Sequence, residues 1–184
     1  AKRENDALQL RVHPTLIPEA KAIAQVDGVL NAVMINASGV GELLLVGPGA
    51  GSRPTASAVM ADIVSVARSI ASGEQPSIHS MGVGFSAMSQ LTIADINEVS
   101  SAWYLRLDAE DKPGVMASLT QCLSQHGIGI ESLIQKPESA ALAKVPVILM
   151  TDEAPTRAIE QAIADIEALP SVGGPVTCLR VENF

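Results

Sequence analysis

Apolar residues recur along this chain with two periods, and the change of period divides it. Leu8-Gln9-Leu10-Arg11-Val12 alternates apolar and polar positions as a half-buried strand does, and His13-Pro14 ends it. Residues 18–26 read as a short helix that Pro18 opens and Gly28 closes. Two strands, 29–35 and 42–46, flank the turn-rich Asn36-Ala37-Ser38-Gly39-Val40-Gly41 and predict a β-hairpin. Residues 54–70 carry Ala, Val, Met and Ile on most faces, which predicts a long helix buried on more than one side. A self-contained domain has no need of such a helix. The pattern therefore predicts a missing partner, either the rest of a longer polypeptide or a second subunit. Residues 72–100 hold Gly73, Pro76, Gly82 and Gly84 with no sustained period and read as a linker, in which 78–81 and 91–93 are candidates for local pairing.

Beyond Ala102 the pattern becomes regular. Trp103-Tyr104-Leu105-Arg106-Leu107-Asp108 reads as a strand and 109–114 as a loop. Val115, Leu119, Cys122 and Leu123 place one apolar stripe on a helix that Gly127 ends. Strands follow at 128–135 and 145–150, then a helix over 155–168 with Ile159, Ala162, Ile163 and Ile166 on one face, then a strand at 176–181. The order β-α-β-β-α-β predicts a ferredoxin-like unit, four antiparallel strands with both helices on one face.

Composition narrows the picture. Apolar residues make up 47% of the 184-residue chain but aromatics only 2%, so the core must be built from Ala, Val, Ile and Leu, as in layered α/β packing. A formal net charge of -8 and the lack of a basic cluster argue against a nucleic-acid partner. No apolar run approaches the roughly 18 residues of a membrane span, and Glu4 and Asp6 break any secretory leader, so a cytoplasmic location is expected. The absence of an initiator Met at Ala1 fits processing or a chain cut from a longer one. Cys122 and Cys178 show no metal-ligand spacing and read as two buried thiols.

Two motifs carry candidate chemistry. In Leu43-Leu44-Leu45-Val46-Gly47-Pro48-Gly49-Ala50-Gly51-Ser52 a strand passes through glycines into a helix, but the spacing Gly-x-Gly-x-Gly is not the dinucleotide fingerprint Gly-x-Gly-x-x-Gly, and no strand with a terminal acid follows. The segment reads as the closing strand and helix of a larger domain. In Asp108-Ala109-Glu110-Asp111-Lys112-Pro113-Gly114-Val115, Gly114 permits close backbone approach, and the amides of the helix start can hold a small carboxylate, with an amino acid as the natural ligand. A plain turn before a helix stands beside that reading.

The C-terminal unit resembles an ACT domain, the amino-acid-sensing module of many biosynthetic enzymes, through Asp111-Lys112-Pro113-Gly114-Val115, His126-Gly127-Ile128-Gly129-Ile130-Glu131-Ser132 and its element order. The resemblance implies an effector pocket where two modules pair side by side, lined by Asp111, Gly114, Val115, Ile130 and Glu131. Family members often carry Asn before the second strand. Here Gly127-Ile128-Gly129 leaves the contacts to the ligand's side chain open. Residues 8–68 resemble the end of a homoserine dehydrogenase, through Arg11-Val12-His13-Pro14, Gly28-Val29-Leu30-Asn31-Ala32-Val33 and Gly47-Pro48-Gly49-Ala50-Gly51 followed by Pro54-Thr55-Ala56-Ser57-Ala58-Val59.

That resemblance divides the chain into 1–72, the C-terminal part of a catalytic domain; 73–100, a linker; and 101–184, an ACT regulatory domain. It implies a parent oxidoreductase that reduces L-aspartate 4-semialdehyde to L-homoserine with NADP or NAD, with Gly51 against the cofactor and Gly49 and Ala50 shaping the turn. It further implies feedback by an amino-acid effector, threonine first, on the route to threonine, methionine and isoleucine, and a homodimer or tetramer. The family's dinucleotide loop, substrate-binding acids and catalytic Lys have no counterpart here. Lys2, Lys21, Lys112, Lys136 and Lys144 lack the context, and His13, His79 and His126 read as structural or solvent-facing. No catalytic or metal-ligating residue is assigned, and the chain alone is expected not to transfer hydride. Two rivals remain: a non-catalytic amino-acid-binding regulator, and an ACT pair that serves only assembly.

Overall fold

The computed structural model describes residues 1–4, 6–73, 88, 91–135 and 144–183. They fall into two compact units, residues 1–17 with 91–184, and residues 18–90.

The first unit is organised by the regular C-terminal pattern. Strands β7 (Ser100–Ala109), β8 (Ile130–Gln135), β9 (Val145–Thr151) and β11 (Val172–Val181) alternate with helices α2 (Val115–Gln125) and α3 (Thr156–Glu167). The sheet order is β11-β7-β9-β8, all antiparallel, which is the ferredoxin-like arrangement with the fourth strand beside the first. One face of β7 carries Trp103, Leu105, Leu107 and Ala109, and α2 lays Val115, Leu119, Cys122 and Leu123 into the same core. From α3 come Ile159, Ala162 and Ile166, so the predicted stripes on both helices are the ones that are buried. A two-residue strand, β10 (Ala154–Pro155), pairs with the start of β7.

The beginning of the chain belongs to this unit as well. Strand β3 (Thr15–Leu16) adds to the sheet parallel to β11, Thr15 opposite Arg180 and Leu16 opposite Val181. A smaller sheet joins β1 (Lys2–Glu4), β2 (Ala7–Gln9) and β6 (Thr92–Ile93). The alternating run from Leu8 thus ends at Gln9 rather than Val12, because residues 10–14 cross from one sheet to the other. The stretch read as linker contributes β6, a 3-10 turn at Ile96–Glu98 and the first residue of β7. Residues 92 and 93 pair with β2; residues 78–81 lie outside the described set.

The second unit contains the predicted hairpin, β4 (Leu30–Ala37) with β5 (Gly41–Pro48), and the predicted long helix, α1 (Ser52–Ser72). The short helix expected at 18–26 is only a 3-10 turn at Ala22–Gln25, since Lys21 is extended and no residue of the turn is buried to offset helix nucleation. The expected burial of α1 is not found among the described residues: Val59, Met60, Ile63, Val66 and Ile70 are each more than half exposed. The hairpin is apolar on both faces, with Val33, Ile35, Leu43 and Leu45 on one and Leu30, Met34, Leu44 and Val46 on the other. It has the pattern of an inner sheet layer, yet none of its residues is buried here.

Candidate functional site

The glycine turn before α1 has a defined backbone reason. A side chain at Gly49 would run into the Asn31 amide, and Gly49 N–H reaches the Val29 carbonyl at 3.4 Å. Gly51 caps α1 at φ 125°, ψ 148°, a conformation open almost only to glycine. No side chain caps this helix and no acid lies in its first turn. The amides of the first turn are therefore open to an anion. Ala50 lies between the two glycines and is exposed.

The second motif sits at the upper end of β7. Gly114 caps α2 at φ 92°, where any side chain would strain the turn, and its carbonyl accepts from the Ser118 amide at 3.0 Å and hydroxyl at 3.2 Å. Gly114, Val115 and Ser118 border a cleft of about 420 Å³ that Glu110, Leu169 and Ser171 close from the other side. Glu110 is tied into this corner by its amide to the Ser171 carbonyl at 2.9 Å and by Lys112 at 3.0 Å. Asp111 does not line the cleft, and its Oδ1 accepts from Gln135 Nε2 at 2.9 Å. That bond ties the loop to the last residue of β8.

Ile130 and Glu131 are elsewhere. Ala109 faces Val145 at one end of β9 and Ile130 faces Thr151 at the other. Six residue steps of β9 at about 3.3 Å each separate the two levels, about 20 Å. Within one chain the five candidate effector residues are therefore split, with Asp111, Gly114 and Val115 at one end of the sheet and Ile130 and Glu131 at the other.

Sequence reasoning missed a buried polar joint. Arg180 is 6% exposed, donates to Ser101 Oγ at 2.9 Å and Thr156 Oγ1 at 2.6 Å, and lies 4.2 Å from the Trp103 ring centroid. Ser101 also accepts from Arg11, which pairs with Glu182 at 2.5 Å. The signal was available in the last strand. Val176, Cys178 and Arg180 alternate on one face, so the arginine occupies a core position.

Two of the three histidines have local partners. His126 Nε2 lies 2.7 Å from Asp165 Oδ2, tying the end of α2 to α3, and His13 contacts Thr15 Oγ1. Lys136 and His79 lie outside the described residues. Among the described residues no cluster of His, Cys, Asp and Glu could hold a metal ion, and no helix is long and apolar enough to cross a membrane. Cys122 is buried, whereas Cys178 is only half-buried, because β11 lies one strand from the sheet edge that the two residues of β3 cover. Burial raises the Cys122 thiol, aided by Asp165, and pushes Cys178 up to about 11. At neutral pH such a thiol is about one part in ten thousand thiolate, so Cys178 in the native protein should react with iodoacetamide at least about tenfold more slowly than a free thiol, the stronger nucleophilicity of its thiolate offsetting part of the loss. Mass spectrometry of labelled protein checks this, and labelling of Cys178 at the free-thiol rate would contradict it.

Comparison with known proteins adds a family context. Residues 2–64 match the homoserine dehydrogenase family, and residues 105–173 match the AHAS small subunit-like ACT domain. The whole chain is 45% identical to a homoserine dehydrogenase of Pseudomonas aeruginosa and 40% identical to one of Neisseria gonorrhoeae, covering 42% of each. The crystal structure of a homoserine dehydrogenase from Thiobacillus denitrificans matches 99% of this chain and 41% of its own length, at 40% identity and a TM-score of 0.86. The S. aureus homoserine dehydrogenase matches 93% of this chain at 18% identity and a TM-score of 0.53, a likeness of fold. The chain thus spans about two fifths of the length of the curated relatives it matches.

Proposed function

We propose that this chain is the closing part of the catalytic domain of a homoserine dehydrogenase joined to an ACT regulatory domain. The carrying observation is the presence, on one chain whose whole length aligns with 42% of a homoserine dehydrogenase, of the Gly49–Gly51 turn into α1 and of the module at 105–173. The parent enzyme reduces L-aspartate 4-semialdehyde to L-homoserine, and a nicotinamide cofactor, NADP or NAD, supplies the hydride. Its main dinucleotide loop and catalytic lysine belong to the remainder of that enzyme, so the chain alone is inactive. The residues present fit a peripheral contact to the cofactor: Gly51 leaves the first amides of α1 unblocked, Gly49 and Ala50 set the turn, and no carboxylate opposes an anion there.

Regulation follows from the split effector set. Among the described residues, strand β8 is the open edge of the six-stranded sheet, since β3 already covers β11. A two-fold axis beside β8 sets the partner's β8 antiparallel, and this brings the Gly114 loop of one copy beside Ile130 and Glu131 of the other. Asp111, held at the top of β8 by Gln135, reaches the same place. An amino acid, threonine first, binds there and favours one of two enzyme states, the condition for feedback. The apolar hairpin and α1 are covered in the assembled homodimer or tetramer. Calorimetric titration of the chain with L-threonine, L-methionine, L-isoleucine and L-homoserine tests the reading. One of them should give saturable heat that Gly114→Val abolishes, and no heat from any would overturn effector binding. Sequencing upstream of the gene tests the parentage: absence of a Gly-x-Gly-x-x-Gly there would overturn it.

A further inference from the structure

Residues 2–17 fall within the stretch that matches the homoserine dehydrogenase family, yet they fold on the unit that carries β7 to β11. Their attachment has two parts. Strands β1 and β2 belong to the small sheet whose third strand, β6, brings the chain back, and there the Ala94 amide donates to the Leu8 carbonyl at 3.1 Å. Strand β3 instead lies alone on the edge of β11, beyond the strandless stretch 10–14. Its hold is short. Thr15 and Leu16 pair with Arg180 and Val181, the Leu16 carbonyl accepts from the Glu182 amide at 3.0 Å, and Arg11 pairs with Glu182 with only 15% and 26% of the two side chains exposed. The same contact carries an opposing term. Arg11 and Arg180 both donate to Ser101 Oγ, at 3.3 and 2.9 Å, and among the described residues Glu182 is the only carboxylate in an ion pair with either. Docking β3 therefore brings a second guanidinium to a buried one, and burial first, then Arg11, lowers the Arg180 pKa. Undocking relieves that repulsion and returns Arg11 and Glu182 to water. A two-residue strand with so small a net hold opens far more often than the core behind it.

We propose that β3 is a releasable strap: it docks the chain entering residues 18–90 onto β11, the Arg11–Glu182 pair is its latch, and it opens without the rest of the unit. The inference goes beyond the effector reading and does not rest on it, since the strap opens with no ligand bound. Residues 18–90 leave the first unit after Ile17 and return to it at Leu91. With β3 docked, the outgoing chain is fixed as far as Leu16. With β3 released, the last fixed residue is Gln9 in β2, and residues 10–17 in extended form give the outgoing end up to about 26 Å of reach. The returning end, where β6 pairs with β2, stays where it is. The Gly49–Gly51 turn lies on the tethered stretch, so the state of the strap decides how freely that turn can be placed.

Hydrogen exchange of the full 184-residue chain, read amide by amide by NMR, tests the strap. The Glu182 amide should exchange at least about tenfold faster than the most protected amides of β7 and β9, and its rate should barely respond to low urea, as a small local opening requires. The Ala94 amide should exchange more slowly than that of Glu182, because β2 and β6 remain paired. Glu182→Gln keeps the shape and leaves Arg11 without its carboxylate. After allowance for intrinsic rates, exchange at position 182 should quicken about tenfold again, while β7, β9 and Ala94 are unchanged and show the variant folded. Adding Arg11→Met removes both the unpaired cation and its repulsion of Arg180, and should restore slow exchange. A Glu182 amide with the rate and urea response of β7 and β9 would overturn the strap, since β3 would then open only with the whole unit. Opening of Ala94 in step with Glu182 would overturn its independence, and an unchanged rate in Glu182→Gln would overturn the latch.

Discussion

Leu149→Ala should lower the stability of the β7–β11 unit by about 3–5 kcal/mol, while Val33→Ala in the hairpin should change that stability by less than about 0.5 kcal/mol. Leu149 is fully buried, central in β9 between β7 and β8, and its truncation leaves a cavity that close-packed neighbours cannot collapse to fill. Val33, 58% exposed on a two-stranded ribbon, has little to lose in the chain by itself. Denaturant unfolding followed by the single Trp103, which is buried in the same core, reads the first unit directly. The midpoint should fall steeply for Leu149→Ala and stay in place for Val33→Ala. A loss at Val33 as large as that at Leu149, deepening with protein concentration, would show instead that another copy covers the hairpin and couples it to the core.

The same contrast explains what the sequence made legible. In the C-terminal unit the local period and the tertiary environment agree. The stripe Val115, Leu119, Cys122, Leu123 and the alternation through Leu105 and Leu107 are buried where their spacing puts them. The α1 pattern marks a helix, but its apolar faces are exposed among the described residues, so its period fixed the element and not its surroundings. Short pieces were the least legible. β3 and β6 are two residues each and exist only because a distant strand offers a free edge, β11 for one and β2 for the other. The extended stretch at Arg11 was read as the continuation of a strand because alternation cannot say that a side chain leaves its own sheet to reach Ser101 and Glu182. At the candidate site the residue types were legible but their separation was not: Gly114 and Ile130 are 16 positions apart in sequence and at opposite ends of the sheet.

Arg180→Ala should destabilise the same unit by about 2–4 kcal/mol, and Arg180→Met should recover most of the loss while Arg180→Lys should not. The guanidinium is directly opposite Trp103 in the β7–β11 ladder, stacked on its ring, and donates to two hydroxyls. Among the described residues no carboxylate forms an ion pair with it, and burial first, then the neighbouring Arg11, hold its pKa below the ordinary value. Two large terms therefore oppose each other, the contacts made by the planar fork and the cost of a desolvated cation. Alanine removes the contacts and leaves a void beside Trp103. Methionine fills the void without a charge, and the hydroxyls keep other partners, Thr156 donating to the Val99 carbonyl and Ser101 accepting from Arg11. Lysine keeps the charge but can neither fork between Ser101 and Thr156 nor stack as a plane, so it retains the cost and loses the return. The joint also decides whether residues 1–17 stay on the sheet, because Ser101 is shared with Arg11 and the Glu182 amide donates to the Leu16 carbonyl at 3.0 Å. Amide exchange at Glu182 should therefore accelerate in the alanine and lysine variants and remain slow in the methionine variant. An equal loss for alanine and methionine would show that the hydrogen bonds, not the filled volume, hold the first strands to the sheet of β7 and β11.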